Sequence, residues 1–301
     1  MKRFITSIIC ITVLSLFYAN CQNATQVDTT KIAKQYEITL NDGSSLIGSI
    51  LSRDSTTIVF QTSSISRIEI PVQQMKSLKE IVPGNTAGGY SIANPFPTKY
   101  FFTQSAINLH KGEGYYQNTY LFFNSVNYGF TDYFSVGAGI EVLSTFGSLT
   151  TGGKFSPIFY IAPKVGFKVA ENLHLGAGVT FANISDFFDN TVIGLGSGLA
   201  TYGSTEHNVT LGLGTGFSFE NKYVSNLIYS VSGMTRVSNR IALVTENYIF
   251  PVDTGYYTIF SYGMRFIANK ISVDLGFINN KDIIKGIFIG IPYIDFNVKF
   301  K

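Results

Sequence analysis

Much of this chain alternates between apolar and polar positions. In "YIDFNVKFK", which closes the sequence, Ile294, Phe296, Val298 and Phe300 alternate with Asp295, Asn297 and Lys299. A strand with a period of two puts the first set on one face and the second on the other. The same period runs through "YFSVGAGIEV", where Phe134, Val136, Ala138, Ile140 and Val142 alternate with Ser135, Gly137, Gly139 and Glu141. It recurs in "IAPKVGFKV", "LHLGAGVTF", "VTLGLGTGF" and "ISVDLGF". From about Tyr100 to Lys301 the pattern predicts about 12 antiparallel strands. Most are long enough for the ~9–11 residues of a tilted membrane strand. The segments near 100–108 and 223–235 show the pattern least.

The connections alternate as well. Tight turns are expected at "FTDY" (130–133), "AENL" (170–173), "TEHN" (205–208), "VSNR" (237–240) and "ANKI" (268–271). Longer links are expected at "LHKGEGY" (109–115), "FGSLTTGGK" (146–154), "SDFFDN" (185–190), "PVDTG" (251–255) and "NNKDIIKG" (279–286), with "ENK" (220–222) a short exception. Short turns at one end and longer loops at the other are the layout of a membrane barrel whose short turns face the periplasm.

Residues 36–82 form a separate unit with four short alternating runs. Tyr36, Ile38 and Leu40 share a face, Ile58 and Phe60 mark another, and Ile68 and Ile70 a third. Asp42-Gly43 is a strong two-residue hairpin signal. In "VPGNTAGGYSIANPFP" the periodicity stops and Pro, Gly and Asn dominate, which marks 83–97 as a linker and 98–301 as the barrel.

Composition narrows the class. The chain has 29 Gly, 26 Phe, 18 Tyr and no Trp, and 14% of its residues are charged. A net charge of +3 excludes the basic footprint of a nucleic-acid binder. After residue 22 no apolar run is long enough for a transmembrane helix. A chain without such runs spans lipid only as a closed barrel, which satisfies every backbone group. At the start, Lys2 and Arg3, the apolar run Phe4–Tyr18 and the small residues Ala19 and Cys21 have the layout of a signal peptide over 1–21. Lipidation of Cys21 is disfavoured by Asn20 before it. Residues 22–35 are expected to be disordered. Cys10 and Cys21 both fall in the leader, so the mature chain is expected to have no disulfide, thiolate metal site or cysteine nucleophile. No cofactor or metal is expected.

The C-terminal two-thirds resembles the small integral β-barrels of Gram-negative outer membranes. Phe300 supplies the aromatic that closes the last strand in that family, although Lys301 follows it. The resemblance implies an outer-membrane location, contact with outer-membrane lipid and delivery by the barrel assembly machinery. Separately, "ITLNDGSSLIGSIL" resembles the first half of Sm-like or SH3-like small barrels. Its mixed charges argue against RNA binding. The unit reads as a periplasmic packing or adaptor module whose partner the sequence does not name.

With the greasy faces turned to lipid, parity points Glu141, Lys164, Lys168, Glu246, Arg265, Asp274, Asp295 and Lys299 into the lumen. Four acids and four bases suggest paired networks holding the wall together, since unpaired buried charge is costly. A narrow, weakly selective pore is the functional reading; strong selectivity would need one dominant sign. Gly137, Gly139, Gly176, Gly178, Gly194, Gly196, Gly198, Gly212, Gly214 and Gly216 are also assigned inward, where they ease the curvature of the wall or open a groove for a plug or an elongated apolar ligand.

Catalysis is not expected. His110 falls in an outer link, whereas His174 and His207 fall near tight turns. "HKGEGYY" has no nucleophile at useful spacing, and Asp186 with Asp189 is a thin acidic pair. "GLGSG" and "GLGTG" sit inside strands and not at a strand-to-helix turn, so they are not phosphate loops. The role expected is structural or that of a minor pore. The alternative is a lipid-active enzyme or a transporter of an apolar ligand.

Overall fold

The computed structural model describes residues 34–83, 90–143, 145–146, 157–183, 192–218, 223–224, 226–252 and 255–300. The expected leader, Cys21, nearly all of segment 22–35, Asp186 with Asp189, and the link at 220–222 lie outside them.

The first sheet holds β1 (Gln35–Leu40), β2 (Ser45–Arg53), β3 (Thr57–Thr62), β4 (Ile68–Pro71), β5 (Met75–Pro83) and β6 (Tyr90–Ile92), in the order β4-β3-β2-β1-β5-β6. Its alternating apolar residues meet in one core, where Ile38, Ile58, Phe60 and Ile70 are buried. The Asp-Gly pair makes the β1–β2 turn. Asp42 Oδ1 accepts from the Ser44 amide and hydroxyl, and Gly43 takes the left-handed φ of +90°. The unit runs past its expected end: β6 comes from the expected linker and pairs Ile92 with Ile81.

The second sheet closes on itself. Its strands are β7 (Gly114–Thr119), β8 (Phe123–Gly129), β9 (Phe134–Glu141), β10 (Ile158–Ala170), β11 (Leu173–Asn183), β12 (Val192–Gly203), β13 (His207–Ser218), the two-residue β14 (Tyr223–Val224), β15 (Ile228–Ser238), β16 (Ile241–Val252), β17 (Gly255–Ile267), β18 (Ile271–Asn280) and β19 (Ile291–Lys299). Apart from β14, which only extends the edge of β13, each pairs antiparallel with its sequence neighbour. The pairing of β19 with β7 completes a 12-strand barrel.

The outer face is apolar. Val165, Leu175, Leu211, Leu243, Leu275 and Ile294 are exposed along it. Near the short turns it carries exposed Phe130, Tyr133, Phe167, Tyr202 and Phe300, an aromatic girdle of the kind found where a barrel leaves lipid. β19 exposes Ile294 and Phe296 and buries Asp295 and Asn297. A closed barrel with an apolar belt is the β-structure that lipid tolerates, and this chain is an outer-membrane barrel.

Two expectations about the first strands are corrected. Residues 100–108 do not form a strand. Tyr100, Phe101 and Phe102 are consecutive aromatics without alternation, and Lys99 beside them finds carboxylates only inside the barrel. The single strand left between the links at 109–115 and 130–133 is instead two, β7 and β8. Their turn uses Tyr120 and Leu121 at φ of +55° and +71°, so no Gly or Asn marks it in the sequence. The two differences cancel, and the strand number stays at 12. The expected link "PVDTG" is also mostly strand, since Val252 pairs with Gly255.

Candidate functional site in the barrel lumen

After β6 the chain does not enter the wall. Residues 93–110 pass into the lumen from the short-turn end and return to it. On the way in, Asn94 N donates to Glu206 Oε1 at 2.7 Å and its side-chain amide to Thr205 O at 3.1 Å, both in the β12–β13 turn. On the way out, Lys111 N donates to Asp132 Oδ1 at 3.0 Å in the β8–β9 turn. Between these anchors lies a tight hairpin, with Ser105 N donating to Thr98 O and Tyr100 N to Thr103 O, each at 2.9 Å. Its core residues Phe96, Tyr100, Phe101 and Ala106 are buried in the barrel.

The luminal charges end mostly on this plug. Arg265, fully buried, forms a two-pronged pair with Asp274 through Nε and Nη2, both at 2.8 Å. Its remaining donors reach the carbonyls of Phe96, Lys99 and Tyr100 at 2.9, 3.3 and 2.7 Å. Lys99 of the plug donates to Asp295 Oδ2 at 2.7 Å and Asn297 Oδ1 at 2.9 Å, and stands 3.6 Å from Asp274. Glu246 accepts the successive amides of Phe101, Phe102 and Thr103 at 2.9–3.1 Å and the Tyr248 hydroxyl at 2.6 Å. Three consecutive N–H groups form a concave anion site, and the wall supplies the anion. Lys164 donates to Ser105 O at 2.9 Å and Ile107 O at 2.7 Å.

The other sequence-assigned charges stand apart from this cluster. Lys299 pairs with Glu113 at 3.1 Å near the short-turn end. Lys168 is exposed at the end of β10, opposite His174. Glu141 ends β9 at the loop end and caps Leu143 N at 2.7 Å. Of the eight assigned charges, Arg265 and Asp274 pair with each other across the wall; Lys164, Glu246, Arg265 and Asp295 bond to the plug, and Glu246 and Asp295 also accept from neighbouring wall side chains. Sequence reasoning missed Lys99, Gln117 and Tyr293; Gln117 and Tyr293 both donate to Asp295. Lys99 had a signal, as a lone cation among aromatics in a weak strand.

Three of the inward-assigned glycines are corrected. Register pairs Leu199 with Gly212 and Ser197 with Gly214, so Gly194, Gly196 and Gly198 face outward and the leucines of β12 face in. In "VIGLGSGLATYG" glycine alternates with apolar residues, so polarity cannot tell the faces apart. Thr201 decides it, by accepting from Ala106 N at 2.8 Å. The remaining glycines of the set face inward. At Gly176, in the wall beside the plug, an added Cβ would meet Ala106 Cα at 3.4 Å.

Above the plug, toward the loops, the lumen is open. A cavity of about 580 Å³ lies there. Its walls are mostly apolar, including Phe123, Tyr160, Leu195, Leu199 and Ile228, and Lys99, Gln104 and Lys164 stand at its plug end. Gly178 and Gly214 widen it and present bare backbone to it. Around the loop end Leu121, Phe122, Leu143, Phe146, Ile287 and Phe288 are exposed.

The histidines form no joint site among the described residues. His110 does not lie in an outer link as expected: it sits at the short-turn end, 3.4 Å from Asp132. His207 Nδ1 is 2.9 Å from Thr235 Oγ1, and His174 Nδ1 is buried without a hydrogen-bond partner.

No protein-family model matches the chain, and no curated protein matches it. Among solved structures it is similar to a loop L8 deletion mutant of OmpT, an outer-membrane protein of Vibrio cholerae, at 13% identity over 89% of this chain and 97% of that one, with a TM-score of 0.31. It is similar also to Salmonella typhi OmpF in complex with daunomycin, at 8% identity over 89% and 96% of the two chains, with a TM-score of 0.32. A likeness this loose carries nothing about ligand or activity.

Proposed function

We propose that this outer-membrane barrel binds a small apolar or amphipathic molecule in its loop-end cavity, and that the plug separates that cavity from the periplasm. The cavity carries the reading. Its volume of about 580 Å³ falls inside the ~300–1,000 Å³ of small-molecule sites. Its walls are apolar, and apolar side chains are exposed around the rim through which a ligand would enter. This makes a transporter or binder of an apolar ligand the first reading, ahead of a minor pore. The proposal includes the absence of catalysis, supported by histidines that stand at separate turns with different partners. It also places the short turns and the first sheet in the periplasm. There the sheet would act as a small packing or adaptor module, and its order β4-β3-β2-β1-β5 supports the likeness to Sm-like or SH3-like barrels.

Refolded protein in an amphipol should bind the apolar fluorophore N-phenylnaphthylamine saturably. Ala182→Phe, which fills the cavity from β11, should abolish that binding while the heat-modifiable barrel still forms. Binding that does not saturate, or that survives Ala182→Phe, would remove the cavity reading. Planar bilayers should stay silent with wild-type protein; sustained conductance would restore the pore.

A further inference from the structure

Lys164 differs from the other buried cations of the barrel. Lys99, Arg236 and Arg265 each meet a carboxylate. Lys164 is as deeply buried, yet among the described residues its ammonium has two carbonyl partners and no carboxylate. An ammonium has three protons, so one is left over. A buried charge without a counter-charge is costly. The wall around it offers none: Ser135 and Gly178 stand opposite it on β9 and β11, and Ala162 is the next inward residue on its own strand. Glu246, which likewise lacks a cation partner among the described residues, is taken up by three plug amides and Tyr248. Lys164 also lines the cavity, at its plug end and beneath apolar walls.

Resting on the cavity reading above, we infer that the ligand is a single-chain amphiphile with an anionic head, a carboxylate or a phosphate monoester, seated on Lys164 with its chain running along the apolar walls toward the loops. The head supplies the missing counter-charge and the chain fills the cavity. Gln104, whose side-chain amide reaches Asn127 only at 3.5 Å, is a neutral donor placed to turn toward the same head.

The test is competition against the bound fluorophore by dodecanoate, dodecyl phosphate and methyl dodecanoate. One of the two anions should displace it at about tenfold lower concentration than the ester, the discrimination of one charge-assisted hydrogen bond. Lys164→Gln should erase that preference, so that the anions compete no better than methyl dodecanoate on the same variant, and Lys164→Arg should keep it. Equal competition by all three ligands on wild-type protein overturns the Lys164 assignment and leaves the cavity reading intact. This arm decides even where Lys164→Gln fails to fold. Failure of all three to compete overturns the cavity reading, and this inference with it.

Discussion

In the half of the lumen near the short turns, wall side chains end on the plug: Arg265 on three carbonyls, Glu246 on three amides, Lys164 on two carbonyls. In the half near the loops, the same inward parity brings Tyr160, Leu195, Leu199 and Ile228 to the surface of an open cavity. The two halves share strands and alternation and differ in what fills them. A threaded backbone brings many N–H and C=O groups, each of which needs a partner once water is excluded. Charged side chains satisfy several such groups at once, and they are concentrated where the backbone is. Where nothing is threaded, the wall needs no such donors. The buried charges Lys164, Glu246 and Arg265 therefore mark the place of the plug.

The hardest blow to that contrast should come from Arg265→Ala. It strips three plug carbonyls of this donor and leaves Asp274, among the described residues, with Lys99 at 3.6 Å. Breaking a buried pair by removing one partner costs ~3–5 kcal/mol, and the unfolding free energy of the refolded barrel in urea should fall by about that much. A loss below about 1 kcal/mol, the scale of an exposed pair, would mean that the plug is not held by these charges.

A second comparison sets the lipid face against the open half of the lumen. Phe296→Arg places a charge in the belt and should cost ~2–4 kcal/mol, read as loss of folded, heat-modifiable barrel. Thr180→Asn, facing the cavity on β11, should stay within about 0.5 kcal/mol of wild type. From alternation alone Asn297→Arg would look mild. In the structure Asn297 is fully buried and bonded to Lys99, so an arginine there would set a second cation beside the first. Equal losses from Phe296→Arg and Thr180→Asn would reverse the face assignment on which every luminal residue rests.

Much of this was readable in the sequence. Alternation in β19 separated Ile294 and Phe296 from Asp295 and Asn297, and the tight turns lay near where the spacing put them. Parity also picked out Lys164, Glu246, Arg265, Asp274 and Asp295, because a lone charge in a greasy strand has only one tolerable side. Their partners were hidden. The plug is irregular, so no period announces it, and its carbonyls and amides belong to any sequence. The β7–β8 turn was hidden because Tyr120 and Leu121 adopt a backbone that glycine or asparagine usually signals. The faces of β12 were hidden because glycine gives no polarity to read.

The smallest expected effect tests whether the plug presses on the wall. Gly166 faces inward on β10, and a Cβ added there would stand 2.4 Å from Ala106 O, a backbone atom that cannot rotate away. Gly166→Ala must therefore move either the strand or the plug, at a cost of ~1–3 kcal/mol. Gly198 faces outward on β12, and its added Cβ would meet nothing nearer than Leu213 O at 4.0 Å. Glycine inside a strand is worse than alanine by roughly 0.5–1 kcal/mol, so Gly198→Ala should be neutral or stabilising by up to about that much. Thermal midpoints of the two refolded variants should therefore move in different directions or by clearly different amounts. A matched loss in both would mean that the wall itself, and not the threaded segment, demands glycine at these positions. The plug would then rest on the barrel without shaping it.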